Sequence, residues 1–278
     1  MAPSILAPKG HRARKELAAA FQRYFENYNP VQTQSSAMIK ARYFANTRHG
    51  ITPLNQGRLE VGTLLGVLAN TIPAVFYMLV NIYSNPEFTS DIRHELETKG
   101  FSGTPDEITQ NSSFINMQES CPLLCSTFQE LLRVHAVGSS ARFVREDVML
   151  DDKYLLRKGM VVQMPMAVMH SDVTAWGEDV KEFQPRRFLK QKSVSKGFKQ
   201  NLTAYRPFGG GASLCPGRHF VTLETMVLTA CMVSMYDLVP VDLQWNIPPQ
   251  KQESLATNVF PPANDIKVKV TLKRKSGA

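Results

Sequence analysis

The chemistry most sharply written into this 278-residue chain lies in Phe208-Gly-Gly-Gly-Ala-Ser213-Leu-Cys215-Pro-Gly217-Arg-His-Phe. Glycines let a backbone pass close to something flat or bulky. The cysteine follows at once, and Pro216 then opens a predicted helix. A thiolate at a helix N-terminus gains from backbone N–H donors and the positive end of the helix dipole, so such a sulfur suits a metal or a nucleophile. A small buried cysteine in a tight loop-to-helix turn is the plainer alternative. Two further groups accompany it. Glu130 and Arg133 share one face of a predicted helix over 121–135, where they can pair. The run Phe183-Gln-Pro185-Arg-Arg187-Phe188 offers a second guanidinium bracketed by proline and aromatics. One carboxylate shared by two guanidiniums makes a rigid, charge-neutralising clamp.

The elements that must position these groups are mostly helical. Hydrophobic residues at 43% and charged residues at 20% describe a globular chain. Four cysteines (Cys121, Cys125, Cys215, Cys231) with no C-x-x-C pair exclude a disulfide scaffold and a four-cysteine zinc site. The first 55 residues form a polar segment with one amphipathic helix around Lys15 to Tyr28. Val61 to Pro86 carries no charge, and its length suits a membrane span. Asn70, Thr71 and Pro73 cluster at its centre, which favours a buried helix over 61–83 lining a cavity, distorted by Pro73 near Ala69 and Asn70. A charged surface helix over 86–99 follows, closed by Gly100, then a loop over 101–113. Turns at Asp151-Asp152 and Lys158-Gly159 mark hairpins. An irregular meander covers 171–207, the cysteine loop 208–217, and a final helix (from Pro216 to about Tyr236) with an alternating tail strand closes 218–278.

The net charge is +8. Between Phe183 and Leu223 there is no acid, but Arg186, Arg187, Lys190, Lys192, Lys196, Lys199, Arg206 and Arg218. That run lacks interleaved aromatic platforms or a docking module for nucleic acid, so no nucleic-acid partner is expected. The opening MAPSILAPKGHRARKE holds no apolar run long enough for a signal peptide or anchor.

In order and separation, the three elements resemble the signature of the cytochrome P-450 haem-thiolate family. Its haem loop reads F-x-x-G-x-R-x-C-x-G, matched by Phe208, Gly211, Cys215 and Gly217. Its helix motif E-x-x-R is matched by Glu130 and Arg133, and its meander P-x-R-F by Pro185, Arg187 and Phe188. Ala69-Asn70-Thr71-Ile72-Pro73-Ala74 and Pro261-Pro-Ala-Asn-Asp-Ile266 are similar to the branch of sterol hydroxylases and prostacyclin synthase. The resemblance covers about 55 to 278 and reaches only the C-terminal half of a family member. Three departures stand out: Ser213 replaces the usual propionate-binding Arg or His, Ala69 and Asn70 replace the acid–alcohol pair, and the N-terminal half has no counterpart.

The resemblance implies a mainly α fold, the C-terminal portion of the P-450 fold with small peripheral sheets, and a haem-thiolate core over 56–278. Its cofactor is haem, with Cys215 as the iron ligand, Phe208 shielding the sulfur, and Gly211 and Gly217 giving the porphyrin room. Arg142 is the expected propionate partner, and Ser213 a further cofactor-binding residue at which one charge-assisted bond to the haem is lost. Ala69, Asn70 and Thr71 are the expected oxygen-side residues, and Glu130, Arg133 and Arg187 the structural clamp. The implied reaction is hydroxylation of a lipophilic sterol, fatty acid or terpenoid, served by a flavin-containing NADPH reductase docking on the basic 183–223 face. The implied location is the cytosolic side of the endoplasmic reticulum, if the chain is part of a longer one. A peroxide isomerase or an inactive fragment are the alternatives.

Overall fold

The computed structural model describes residues 7–111, 113–189, 202–251 and 257–273. The chain divides into two compact units, Met1–Leu68 and Ala69–Ala278, and the boundary falls inside one long helix. In the first unit, α1 (Pro8–Glu26) and α2 (Ala37–Arg48) precede the start of α3 (Pro53–Tyr83). Where one helix is expected, there are two. α2 buries no residue and so carries no apolar stripe to read. Its start is fixed locally, by the Ser36 hydroxyl accepting the Ile39 N–H at 3.3 Å. Tyr43 brings α2 to α1, its ring 4.6 Å from that of Tyr28. A side chain at Gly57 would run into the backbone of Ala18 and Gln22, so glycine is what lets α3 approach α1.

α3 is longer than the expected 61–83. Thr52 caps it, accepting the Asn55 N–H at 3.4 Å, and Pro53 takes the first turn. The charges that bounded the apolar run lie inside the helix, and Glu60 pairs with Arg42 of α2 at 2.8 Å. The helix continues through Pro73 without a break. The proline's effect is local: it cannot donate to the carbonyl of Ala69.

In the second unit, α4 (Pro86–Thr98), α5 (Pro105–Thr109), α6 (Met117–Ser120) and α7 (Pro122–His135) come next. α5 lies in the segment expected as loop; a capping box of Thr104 and Glu107 starts it. Strands β1 (Ser139–Phe143) and β4 (Val161–Pro165) pair antiparallel and enclose the hairpin of β2 (Val148–Leu150) and β3 (Tyr154–Leu156). Asp151 and Asp152, at φ 53° and 50°, turn that hairpin. The turn at Lys158-Gly159 leads into β4, which pairs with β1 and not with β3. Two short helices, α8 (Met166–His170) and α9 (Val173–Trp176), lie in and before the meander. α10 runs over Arg218–Met235, starting two residues later than expected, and passes directly into β5 (Tyr236–Pro240), which pairs with β6 (Val268–Leu272).

α7 is the centre of the core. Leu124, Phe128 and Leu131 recur at i, i+4, i+7, and one apolar cluster joins them to Ile92 and Leu96 of α4 and to Met226, Ala230 and Val233 of α10. Tyr77, Met78 and Ile82 bring the C-terminal part of α3 into the same cluster. α3 is long and apolar enough to cross a membrane, but these side chains have no exposure at all.

Both ends of this core are closed by side chains from elsewhere. α7 has no capping side chain of its own at Cys121. Glu95 of α4 supplies one, accepting the N–H groups of Leu123 and Leu124 at 2.7 and 2.9 Å. Burial raises the Glu95 carboxyl above its ordinary range, against the pull of those two bonds. At the end of α10, Tyr83 Oη lies 2.8 and 2.7 Å from the carbonyls of Met232 and Tyr236. Arg93 donates to the carbonyls of Val233 and Tyr236, each at 2.9 Å, and pairs with Asp237 at 2.6 Å. Arg93→Met should therefore lower unfolding stability by about 1–3 kcal/mol, and Tyr83→Phe by about 1 kcal/mol. Urea unfolding checks this; unchanged midpoints in both variants would mean that water satisfies these carbonyls instead.

Candidate functional site

α7 is buried on two faces, and its second face is polar. Ser126, Glu130 and Arg133, with Gln129 beside them, point to the meander. Glu130 has no exposure and Arg133 only 2%. Arg133 donates Nε and Nη2 to the two carboxylate oxygens of Glu130 at 2.8 and 2.7 Å. Its remaining donors reach the carbonyls of His170, Val180 and Glu182 at 3.0, 2.8 and 3.0 Å. Arg187 closes the other side, its Nε 3.1 Å from each Glu130 oxygen. The three expected clamp residues are thus in direct contact. Burial opposes the charge on Arg187, but its bonds to Asp179 and Glu130 hold the guanidinium above its ordinary value.

Other partners in the clamp carry no recognisable pattern in sequence. Asp179 receives both Nη groups of Arg187, at 3.0 and 3.1 Å, and the Gln184 N–H adds a further bond to Glu130 at 2.9 Å. The Ser126 hydroxyl accepts the Phe188 N–H at 3.0 Å, and Tyr205 donates to the Gln129 carbonyl at 3.0 Å. Trp176, Phe188 and Tyr205 pack over this network, and the Arg133 guanidinium lies 5.5 Å from the Trp176 ring centre. His170 links the clamp to the cysteine loop: Nε2 accepts the Arg206 N–H at 3.0 Å.

The loop turns on Gly209 and Gly211, whose φ values of 78° and 61° favour glycine. The Arg206 guanidinium packs against Gly210, where a side chain would have to displace it. The Cys215 N–H returns to the Phe208 carbonyl at 3.0 Å, closing the loop, and Arg218 donates to the Cys215 carbonyl at 3.1 Å. α10 begins at Arg218 with Gly217 as cap, so Cys215 stands just ahead of the helix. Its thiol is unpaired in any disulfide and the residue is half-buried. Arg142 comes in from β1, its Nη2 2.7 Å from the Gly210 carbonyl and 2.8 Å from the Ser213 hydroxyl. Two of the expected cofactor-binding residues, Arg142 and Ser213, therefore meet at one rim of the loop.

Whether these residues suit a flat cofactor can be judged from the glycines. A Cβ at Gly211 would find only Arg142 within 4 Å, at 3.6 Å, and one at Gly217 only the Cys215 sulfur, at 3.9 Å. Neighbouring atoms crowd neither glycine, and the thiol and the Arg142 guanidinium border the same loop, the one a ligand for iron and the other a donor for a carboxylate. That is a fit for haem.

On α3, Ala69 and Asn70 are half-buried, Thr71 is buried and Ile72 is 61% exposed. Asn70 is engaged: its Oδ1 accepts the N–H groups of Asn258 and Val259 at 2.7 and 3.1 Å. No hydrogen bond among the described residues joins it to the cysteine loop. The expected basic face changes in detail. Arg187 is buried in the clamp and Arg186 pairs with Asp91 at 2.5 Å. Lys190, Lys192, Lys196 and Lys199 lie outside the described residues.

A mainly helical fold whose glycine-lined cysteine loop is braced by an arginine-clamped helix defines a haem-thiolate protein. The chain belongs to the cytochrome P450 family, which it matches over residues 4–268. It is 31% identical to the cytochrome P450 monooxygenase nodJ of Hypoxylon pulicicidum, over 96% of this chain and 52% of that protein. A cytochrome P450 monooxygenase of Gibberella zeae is 32% identical over 95% and 52%. The cholesterol 7-alpha-monooxygenase of Cricetulus griseus is 29% identical over 98% and 55%. The chain spans about half the length of the curated relatives it matches.

Two outcomes follow from the clamp and its histidine. Glu130→Gln or Arg133→Met leaves a buried charge without its partner, and should remove roughly 3–5 kcal/mol of stability. Thermal unfolding and the yield of folded protein report this; slower turnover with undiminished stability would mean a solvated pair. His170 and His135 are both held near 4 by burial, against 6.5 in an unfolded chain. Below pH 6.5 the unfolded chain binds protons that the folded one refuses, so stability falls as pH drops from 6.5 towards 4. His170→Gln should flatten that slope by about one proton. Unfolding series at several pH values measure it, and an unchanged slope would mean His170 is protonated in the fold.

Proposed function

We propose that this chain forms the haem-thiolate part of a monooxygenase that hydroxylates a lipophilic substrate. The observation that carries this reading is the half-buried Cys215 thiol on a loop turned by Gly209 and Gly211, with Arg142 and Ser213 hydrogen-bonded together at its rim. Cys215 would hold the iron, and Arg142 and Ser213 the propionates. When bound, a thiolate-ligated haem supplies oxygen activation and oxidation of C–H bonds.

The protein's own contributions are positional. The clamp fixes the meander against α7, His170 Nε2 holds the entry of the loop at Arg206, and the Cys215 N–H bond to the Phe208 carbonyl fixes the backbone from which the thiol projects. Gly209 and Gly211 allow the left-handed turns by which the loop folds back. Asn70 does not ionise, and its Oδ1 is already filled by two backbone donors, so it cannot carry a proton. Proton delivery would then pass through water, a feature that equally suits isomerisation of a peroxide.

A sterol, fatty acid or terpenoid is the substrate class. The exposed Ile72 beside Ala69 supports an apolar ligand, and the similarity to a cholesterol monooxygenase supports a sterol. A flavin-containing NADPH reductase would supply electrons on the basic 183–223 side, and the cytosolic face of the endoplasmic reticulum is the matching location.

The reduced, carbon monoxide-bound difference spectrum of the expressed protein tests the reading. A thiolate-type Soret band is expected. It should vanish in Cys215→Ser and survive in Cys121→Ser, Cys125→Ser and Cys231→Ser. A band that outlives Cys215 would overturn the ligand assignment, and no band in any of these proteins would favour a fragment that does not retain haem.

A further inference from the structure

We infer that Asn70 is a positioning residue, acting through the backbone of Asn258 and Val259 to tie the C-terminal segment to α3 and to the end of the clamp helix. Both partners of its side chain are N–H donors, at 2.7 and 3.1 Å, so the oxygen of the amide must face them. The same two residues are held from the other side. The Val137 N–H donates to the Asn258 carbonyl at 2.8 Å, and Val259 forms an antiparallel bridge with Ala136, the residue that ends α7. Val259 is 3% exposed and belongs to the main core. Gly138 follows, and a side chain there would collide with that of Asn258. β1 begins one residue later and carries Arg142 to Gly210 and Ser213.

A continuous set of backbone and side-chain bonds therefore runs from Asn70 on α3, across residues 258–259 and 136–138, to the rim of the cysteine loop. No other side-chain oxygen is bonded to the N–H groups of residues 258 and 259 among the described residues. Asparagine suits the task because its carbonyl oxygen accepts two bonds without bringing a charge into a half-buried position. The use of this anchor in holding the rim of a haem site rests on the haem-monooxygenase reading; the anchoring itself does not.

Amide hydrogen exchange of the full chain, expressed with haem, tests the anchor. In Asn70→Ala the amides of Asn258 and Val259 should exchange about tenfold faster than in the unsubstituted protein. Amides of α4 and α10 should keep their rates. Asn70→Asp retains two oxygen acceptors and should restore protection at both positions. Asn70→Ser, polar but too short to span the gap, serves in place of alanine if that variant does not fold. Wild-type exchange at 258 and 259 in the alanine or serine variant would overturn the proposal, as would exchange in Asn70→Asp as fast as in Asn70→Ala. The carbon monoxide spectrum of the unsubstituted chain separates the two readings: if it shows no thiolate band while the exchange pattern holds, the haem reading fails and the anchor stands.

Discussion

A carboxylate shut away from water needs compensation on every lone pair, and Glu130 receives it from two guanidiniums and a backbone N–H. Removing charge from water costs several kcal/mol per ion, which only close geometry offsets. That demand explains the rest of the second unit. Arg133 has donors left after Glu130 is satisfied, and they fix the last carbonyl of α8 and two in the meander. Arg187 has donors left as well, and Asp179 takes them. Residues 179–187, which belong to no sheet or long helix, are thereby held in place by charge-assisted bonds.

The clamp works because α7 is two-faced. Its apolar stripe locks into α4 and α10, so the polar face is presented on a helix that cannot shift. Rigid support of this kind is what a binding loop requires, since loops placed on firm elements carry function while contributing little packing of their own. The cysteine loop is reached from α7 by two routes. One passes from Arg133 to the carbonyl of His170 and from its imidazole to Arg206; the other passes through residues 136–138 and β1 to Arg142. A thiol on a loop of glycines thus has a defined position.

Against this background the departures from the usual P450 pattern make physical sense. Ser213 is short, and Arg142 reaches across from β1 to its hydroxyl and to the Gly210 carbonyl. Asn70 stands in a helix that Pro73 already deprives of one donor. Its side chain serves a backbone segment and not an ionising relay. In both places a short polar side chain is tied by hydrogen bonds to another element.

Much of this was legible in the order of residues alone. The spacing of Glu130 and Arg133, the glycines around Cys215 and the proline-bracketed Arg187 are local patterns, and local patterns reflect helix geometry and turn stereochemistry that neighbouring residues decide. The helices over 86–98 and 122–135 and the hairpin at Asp151-Asp152 followed from the same local signals. Other features had none. α2 has no apolar stripe, and the start of α3 was hidden because Arg58 and Glu60 lie inside it. Only the tertiary structure decided that β4 pairs with β1, that Glu95 caps a helix 28 residues away, and that the oxygen of Asn70 belongs to residues 258 and 259. Each of these joins groups far apart in the chain, through bonds whose donors and acceptors are as common as the backbone itself. Sequence determines which groups can bond; which of many equivalent partners they meet is settled by the packing of the core around α7.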